Sequence, residues 1–432
     1  HEYGGGGWLP TNNGILLSRF DDQRLWLLRD DLRPVTSEPD APRSERFADG
    51  ISVPETDDTI WVVERHRRHG VEPQNLLAGV GLDGSVTEIA SGADFYSSPT
   101  TSPDGRTLAY LSWDHPSMPW DHVRLHVAQR DKTGWAAHRV VLDGPALQQP
   151  SFSPDGRLHV ISDATGWWNI HEVDVDNHRS RPILTADLEF GVPSWVFGQR
   201  TYLWTDEVIW CTWSDSGVGH LGQIVDGVLR ELKTEFTEFN GLGVLNDGRA
   251  VTIAASWKKA AAVYAMESDG SAEQFSTPDS LPIASEDISV PEPIVVTDPQ
   301  GQPTHAFHFP PTHSSCFSSS GLPPLLVLSH GGPTGAARSS FDAAIQYWTN
   351  RGIAVVDVNY RGSTGFGTAY RDKLKSQWGV ADTEDCVRAA EHLAEYGFVD
   401  PERLAIKGGS AGGFTTLCAL ASSDIFAAGI SR

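Results

Sequence analysis

Cysteine and positive charge are both scarce in this 432-residue chain. The four cysteines stand far apart with no C-x-x-C pair, which argues against a disulfide framework and favours free thiols in a reducing compartment. Lysine and arginine total 33 against 56 acidic residues, and the net charge of -23 argues against nucleic acid or anionic membrane as a partner. No apolar run approaches the length of a membrane span.

A start signal and a secretion signal are also missing. The chain begins at His1, and no basic and apolar leader precedes the folded pattern. We therefore expect an internal piece of a longer cytoplasmic protein; a secreted form whose signal lies upstream is the alternative. At this length two or more domains are expected.

The sequence offers little support for a metal or nucleotide site. The 16 histidines are scattered, and the run from His66 to His69 is typical of an exposed basic turn. The glycines from Gly4 to Gly7 lack the lysine and hydroxyl residue of a phosphate-binding loop. We expect no metal and no cofactor.

Residues 1–285 are strand-like, rich in tryptophan, and punctuated by a recurring turn. Copies of the turn recur about every 45 to 50 residues, the size of one four-stranded propeller blade. In the clearest copies proline presets φ and glycine accepts a positive φ. We predict a β-propeller of about six to seven blades with an incomplete first blade. The copies begin at Thr11, Pro54, Ser102, Ser153, Phe197 and Leu245.

Residues 286–432 change to alternating strands and helices after an initial hairpin, a pattern typical of a doubly wound α/β domain. A serine-rich surface loop is expected from Thr312 to Ser320. The predicted strands cover 325–329, 353–358 and 403–407, and the predicted helices cover 341–350, 383–396 and 412–421. Asp382 is the expected N-cap of the second helix, and Gly397 its end. The predicted fold is a β-propeller followed by an α/β-hydrolase domain that is truncated after its nucleophile.

The motif from Gly408 to Gly413 places a serine between an apolar strand and an apolar helix. A G-x-S-x-G in that position is a nucleophile elbow, with Ser410 as the nucleophile. In α/β-hydrolases the triad follows the order serine, acid, histidine. The acid and the base are therefore expected beyond Arg432.

Acyl transfer also requires two donors for the oxyanion. One is the N–H of Ala411, which follows the nucleophile. The other is expected in the His330 to Pro333 loop, from Gly332 first and Gly331 second. His330 precedes the serine, so we expect it to brace this loop and not to act as the base. Asp357 and Asp382 also precede the serine and are expected at a strand end and a helix cap.

The loop from Asn359 to Gly367 follows a predicted strand at its carboxyl end, where open sheets place ligands. Arg361 either organises this loop or contacts substrate, and the sequence leaves both alternatives open.

Together these motifs resemble the prolyl oligopeptidase family of serine peptidases, closest to the branch of acylaminoacyl-peptidases and aminopeptidases. In the hydrolase half the resemblance rests on three motifs: His330 to Pro333, Asn359 to Gly367 and Gly408 to Gly413. In the propeller half it rests on residues 1–6 and 165–169. It implies a propeller that admits only short peptides or small amides.

The resemblance alone implies something about the roles of two further residues. Several relatives carry a tyrosine where this chain has Phe366, and its phenol donates to the oxyanion. Two backbone donors must therefore suffice here. Glu189 could reach a substrate α-ammonium, although a solvated turn glutamate is the favoured interpretation.

We predict a serine peptidase or amidase that cleaves short peptides or aminoacyl amides near their N-terminus through an acyl-Ser410 intermediate. An esterase or arylamidase on the same scaffold is one alternative. A propeller interaction protein with a vestigial hydrolase half is another. A homo-oligomer is possible.

Overall fold

The computed structural model describes residues 4–67, 70–144, 146–277, 283–312 and 321–432. Three predicted features therefore lie partly or wholly outside the described residues. They are the first three residues of the resemblance, the second half of the His66 to His69 turn, and the serine-rich loop beyond Thr312.

Six antiparallel sheets of four strands each fill the first part of the described chain, each ordered as a simple meander. They are the blades of a β-propeller, which confirms this half of the predicted fold. The strands are β1 Trp8–Thr11, β2 Gly14–Ser18, β3 Leu25–Leu28, β4 Leu32–Pro34, β5 Glu45–Ser52, β6 Thr59–Arg65, β7 Gln74–Val80, β8 Val86–Ser91, β9 Phe95–Thr101, β10 Thr107–Trp113, β11 Val123–Asp131, β12 Gly134–Gly144, β13 Leu147–Phe152, β14 Leu158–Ser162, β15 Asn169–Asp174, β16 Arg179–Pro182, β17 Tyr202–Trp204, β18 Ile209–Asp215, β19 Val218–Val225, β20 Val228–Glu231, β21 Glu238–Val244, β22 Ala250–Ser256, β23 Lys259–Met266 and β24 Ala272–Gln274.

The recurring turn joins the first and second strands of a blade. Gly105, Gly156 and Gly248 occupy positive φ in three copies, at 64°, 83° and 86°. One predicted copy was misplaced, because Phe197 precedes the first strand of its blade. The turn of that blade is closed by Thr205, whose hydroxyl accepts from Val208 N at 3.0 Å and donates to Val208 O at 2.9 Å.

The expectation of an incomplete first blade was wrong. Its outer strands β3 and β4 are only four and three residues long, so they carry little sequence signal. Leu16 and Leu25 are nevertheless buried together with Trp61 of the second blade. The indole N–H of Trp61 donates to Thr59 Oγ1 at 2.8 Å, so this buried ring keeps its polar atom satisfied.

A six-stranded sheet with the order β25-β26-β28-β27-β29-β30 forms the second part, and the last four strands in that order are parallel to one another. This arrangement confirms the predicted α/β-hydrolase domain. The elements are β25 Glu292–Thr297, β26 Pro303–Phe309, β27 Leu325–Ser329, α1 Ala343–Thr349, β28 Ala354–Asn359, α2 Thr368–Arg371, α3 Ala381–Glu395, β29 Leu404–Gly408, α4 Ala411–Ser422 and β30 Ala428–Ser431, with 3-10 turns at Ser285–Asp287 and Asp372–Leu374.

The central parallel strands are mostly apolar because helices cover both faces of the sheet. Val327 pairs in register with Val356 and Ile406, and all three are buried in the cluster that includes residues of α3. On the other face Leu326 and Val355 pack against residues of α1.

By internal contacts the chain forms two compact units. One comprises His1–Ala186, Phe190–Trp210 and Ile224–Leu229, and the other comprises Asp187–Glu189, Cys211–Gln223 and Arg230–Arg432. The division at residue 285 that the sequence indicates stays a prediction.

Helix α3 begins earlier than the sequence predicts. It starts at Ala381, and its N-cap Val380 makes no side-chain hydrogen bond, so Asp382 is not the N-cap. The carboxylate of Asp382 instead accepts from Gly379 N–H at 2.7 Å and from the hydroxyl of Thr415. The predicted end is confirmed, since Gly397 follows the C-cap at φ 76°.

Among the described residues, no helix has both the length and the apolar character that a membrane span needs.

Candidate active site

The carboxyl ends of three neighbouring parallel strands bring the sequence motifs together. Strand β27 ends at Ser329, β28 at Asn359 and β29 at Gly408. The His330 to Pro333 loop follows β27, the rest of the Asn359 to Gly367 loop follows β28, and the elbow with Ser410 follows β29. The parallel order of the sheet places all three at one edge, which is where open sheets bind ligands.

Ser410 occupies the strained backbone geometry of a nucleophile elbow, with φ 54° and ψ -121°. The flanking glycines are required because the backbone is crowded. A methyl group on Gly408 would lie 2.1 Å from Gly412 O, and one on Gly412 would lie 2.1 Å from Ser329 O. Any side chain at either position would therefore push α4 away from β27 and β29.

Hydrogen bonds hold the elbow in place. Ser410 N–H donates to Arg432 O at 2.8 Å. The hydroxyls of Ser329 and Thr416 both donate to Gly412 O, at 3.0 and 2.9 Å. The first turn of α4 is thereby tied to strand β27.

The hydroxyl of Ser410 is exposed, and it forms no hydrogen bond with any residue that the structure describes. In the described ranges, therefore, neither a histidine nor a carboxylate contacts it as a base. The positions of the triad acid and base stay a prediction.

Near Ser410, the backbone N–H groups of Ala411, Gly331 and Gly332 have no acceptor in the part of the chain with described coordinates. The loop of Gly332 passes beside the nucleophile, since a methyl group on Gly331 would lie 3.7 Å from Ser410 Cβ. This arrangement fits an oxyanion site with one donor from each loop. Which of Gly331 and Gly332 donates stays a prediction.

His330 lies in the oxyanion loop and is bonded on both ring nitrogens. Nδ1 lies 2.9 Å from Gly331 O, and Nε2 lies 2.7 Å from Ser363 Oγ. Burial lowers the pKa of His330 to about 4, so the ring is neutral at pH 7. It has no hydrogen bond to Ser410, and its contacts fit the expected bracing role.

The Asn359 to Gly367 loop is fastened to the oxyanion loop. The side-chain oxygen of Asn359 accepts from Ala337 N–H at 2.7 Å, and Thr364 N–H donates to Gly335 O at 2.8 Å. The two loops therefore behave as one support for the peptide groups beside Ser410.

Arg361 points its guanidinium at helix α3. Its Nε lies 3.0 Å from Asp385 Oδ1, and its Nη2 lies 2.9 Å from Glu384 Oε2 and 3.3 Å from Ala381 O. These bonds favour the first of its two alternatives, organisation of the loop. Contact with substrate stays a prediction without support from the geometry.

Phe366 lies at the far end of this loop and stacks on His305, with ring centroids 4.3 Å apart.

Glu189 is not a solvated turn residue, although that was the interpretation the sequence favoured. It is 3% exposed, and its Oε1 accepts from Gly367 N–H at 3.0 Å. The sequence could not indicate this contact, because the two residues are 178 positions apart.

Asp357 in β28 and Asp342, the N-cap of α1, are close enough for their charges to interact. Asp342 caps α1, and its Oδ1 accepts from Ala344 N at 2.7 Å and from Ile345 N at 3.2 Å. Burial, with the like charge of Asp342, raises the pKa of Asp357 to about 7. Asp357 lies within β28 and not at its end, so the strand-end expectation was wrong.

Sequence reasoning missed Ser363 and Tyr360 as parts of the site. The loop motif contains both, but nothing in the sequence shows that the Ser363 hydroxyl reaches His330, or that the Tyr360 ring stacks on it at 4.2 Å. Among the residues with described positions, no group of three or more His, Cys, Asp or Glu side chains could hold a metal ion.

A strained serine between a parallel strand and a helix, beside a glycine loop with free N–H donors, defines an α/β-hydrolase. Here that domain follows a propeller, and the combination narrows the class further. The model of the prolyl oligopeptidase family matches residues 339–432.

The crystal structure of a puromycin hydrolase has a TM-score of 0.93 and 35% identity to this chain. The match covers 100% of this chain and 69% of the other. The chain belongs to the prolyl oligopeptidase family.

Two curated relatives match a shorter segment. The acylamino-acid-releasing enzyme of Arabidopsis thaliana is 36% identical over 110 residues, 25% of this chain and 14% of the relative. Dipeptidyl aminopeptidase BIII of Pseudoxanthomonas mexicana is 37% identical over 108 residues, 25% of this chain and 16% of the relative. The chain thus aligns with less than a fifth of these two relatives' length.

Proposed function

We propose that this protein is a serine peptidase that hydrolyses short peptides or aminoacyl amides near their N-terminus. The observation that carries the proposal is the elbow geometry of Ser410 beside backbone N–H groups that have no acceptor in the described chain. In this mechanism the Ser410 oxygen attacks the scissile carbonyl and the amine leaves, so an acyl-serine forms. Water then releases the acid and restores the hydroxyl.

The described residues contribute the electrostatic half of this reaction. As the carbonyl carbon becomes tetrahedral, negative charge develops on its oxygen. The N–H groups of Ala411 and Gly332 are fixed before the reaction starts and stabilise that charge without reorganising. Phe366 offers no hydroxyl, so these backbone donors are the ones proposed.

An aminoacyl amide is the preferred substrate class within this proposal. Its support is the likeness to a puromycin hydrolase over the whole of this chain. Puromycin carries an amino acid joined to a nucleoside through an amide, so it is itself an aminoacyl amide. Glu189 as a partner of the α-ammonium remains part of the proposal, although its Oε1 already accepts from Gly367 N–H.

The test compares the full-length protein with its Ser410→Ala variant on puromycin, aminoacyl anilides, acylated aminoacyl anilides and simple esters. We expect turnover of the aminoacyl amides, loss of nearly all turnover in the variant, and unchanged folding. A fluorophosphonate probe should label Ser410. Labelling of another serine with Ser410 untouched would overturn the assignment, and hydrolysis of esters alone would favour the esterase alternative.

A reducing, cytoplasmic location is also part of the proposal. Its support is that Cys211, Cys386 and Cys418 are free thiols, and the first two are buried. The homo-oligomer that the sequence leaves open stays untested.

A further inference from the structure

The peptide that joins Gly331 to Gly332 carries both groups that matter at the oxyanion loop. It is a trans peptide, so its N–H and its carbonyl point in opposite directions in one plane. The carbonyl of Gly331 lies 2.9 Å from His330 Nδ1. Whatever fixes the direction of this carbonyl therefore fixes the direction of the Gly332 N–H.

The bonds of His330 define its tautomer. Nδ1 lies 2.9 Å from Gly331 O and 3.2 Å from the Tyr360 hydroxyl oxygen. A carbonyl oxygen can only accept, and the one hydrogen of the Tyr360 hydroxyl is donated to the His330 carbonyl, so Nδ1 carries the hydrogen that points at Gly331 O. The pKa of about 4 keeps the ring neutral, and its Nε2 is then a bare acceptor. Ser363, which is 0% exposed, lies 2.7 Å from Nε2 and supplies the matching donor through its hydroxyl.

Tyr360 packs against the ring of His330. The two rings stack with centroids 4.2 Å apart and an interplanar angle of 15°. The phenol of Tyr360 also donates to the His330 carbonyl at 2.9 Å. Tyr360 therefore contacts both the ring and the backbone of His330.

We propose that His330 is a positioning residue that aims the Gly332 N–H at the reacting oxygen, and that the Ser363 hydroxyl sets its tautomer. This inference rests on the proposed function, because the N–H matters only where an oxyanion forms. In the other neutral tautomer the Nδ1 lone pair would face the lone pairs of Gly331 O. That repulsion would rotate the peptide and turn the N–H away.

The first experiment separates hydrogen bonding from packing at position 330 in the full-length protein. His330→Phe keeps a ring for Tyr360 but loses both bonds. We expect kcat to fall on the order of 10- to 100-fold with little change in KM, less than the roughly 10²- to 10³-fold cost of removing an oxyanion donor outright, because the N–H is misdirected and not removed. His330→Asn places an N–H near the Nδ1 position and should restore most of kcat. His330→Gln places its amide near Nε2 and should not. Equal kcat in all three variants would overturn the proposal.

The second experiment removes the tautomer control. Ser363→Ala should lower kcat with KM nearly constant. The chain offers a matched control in the propeller, where Ser112 Oγ lies 2.7 Å from His126 Nε2 and His126 stacks on Tyr110 with centroids 4.7 Å apart. Ser112→Ala should leave kcat unchanged. A loss of kcat in both variants, or in neither, would contradict a specific role for Ser363.

A spectroscopic readout is independent of activity. The 15N spectrum of the His330 ring should show a protonated Nδ1 and a bare Nε2 in the unmodified protein, and a mixture of tautomers in Ser363→Ala. A protonated Nε2 in the unmodified protein would overturn the proposal. If the full-length protein cleaves no amide, the proposed function fails, while this spectrum still confirms or refutes the tautomer.

Discussion

The guanidinium of Arg361 and the carboxylate of Asp385 form an ion pair at 3.0 Å in which Asp385 is fully buried and Arg361 is 15% exposed. The same carboxylate accepts from the backbone N–H of Arg361 at 2.7 Å. One side chain of α3 thus fixes both the main chain and the side chain of the loop residue. The loop that supports the oxyanion peptide is therefore anchored to the domain core.

We expect Arg361→Met to lower the free energy of unfolding by on the order of 3 kcal/mol, because the buried carboxylate of Asp385 then keeps only Arg388 and one backbone N–H as partners among the described residues. Urea denaturation of the purified protein measures this loss. Lys259→Met is the control, since its pair with Glu235 is exposed and such pairs contribute at most about 1 kcal/mol. Similar losses in both variants would show that the Arg361 pair contributes no more to the free energy of unfolding than an exposed ion pair does.

We expect Ser410→Gly to stabilise the protein by about 1 kcal/mol while removing hydrolysis. Ser410 holds φ 54° and ψ -121°, a region that glycine occupies without a Cβ clash. Ser410→Ala keeps the Cβ and should show no such gain. The comparison of the two variants by thermal unfolding isolates the backbone strain. A glycine variant no more stable than the alanine variant would show that the elbow is unstrained.

We expect Gly332→Val to lower kcat by on the order of 10²-fold or more with a smaller effect on KM, the scale of losing one oxyanion donor. Gly332 lies at φ 127°, and an added Cβ would lie 2.8 Å from Thr334 N, so the peptide must rotate. Gly397→Ala is the control for backbone strain, because it also sits at positive φ but has open space around it. A normal kcat in Gly332→Val would move the donor elsewhere, to Gly331 first.

Stability should fall as pH rises through about 7 because of Asp357. Its pKa is raised from 3.8 to about 7 in the folded protein, so between these values the folded state holds a proton that the unfolded state has lost. The free energy of unfolding therefore decreases as pH increases across this range. We expect Asp357→Asn to be more stable than the unmodified protein at pH 8, with the difference shrinking towards pH 4.

Thermal unfolding between pH 4 and pH 8 measures this difference, and unrelated titrations cancel in the comparison. Asp342→Ser is the matching variant, because it removes the neighbouring charge but keeps a side-chain oxygen that can cap α1. It should weaken the pH dependence. A constant difference between Asp357→Asn and the unmodified protein at every pH would contradict a raised pKa.

The sequence predicted those parts of the fold whose signals are local. Gly105 and Gly156 mark hairpin turns through a backbone requirement that only a few residues meet, and the elbow glycines do the same for Ser410. The strands of the parallel sheet were predicted within one or two residues because both faces demand apolar side chains.

What the sequence could not predict depends on contacts between distant positions. Asp382 appeared to be an N-cap, but its carboxylate is used by Thr415, 33 positions later. Glu189 appeared to be solvated, but it is buried against Gly367. Ser363 has no local pattern that distinguishes it from any other loop serine. Each of these residues acquires its role only when separate segments meet at the sheet edge.

The last prediction concerns residues 1–432 as a purified chain. No residue with a described position hydrogen-bonds the Ser410 hydroxyl, and a serine without a base is a weak nucleophile. We therefore expect this chain alone to cleave puromycin and aminoacyl anilides no faster than background, even though the elbow and the oxyanion donors are formed. The control is the same chain with Ser410→Ala, which should behave identically. Robust hydrolysis by the chain that Ser410→Ala abolishes would show that a base within residues 1–432 reaches the hydroxyl, and the chain-order argument for the triad would then be wrong.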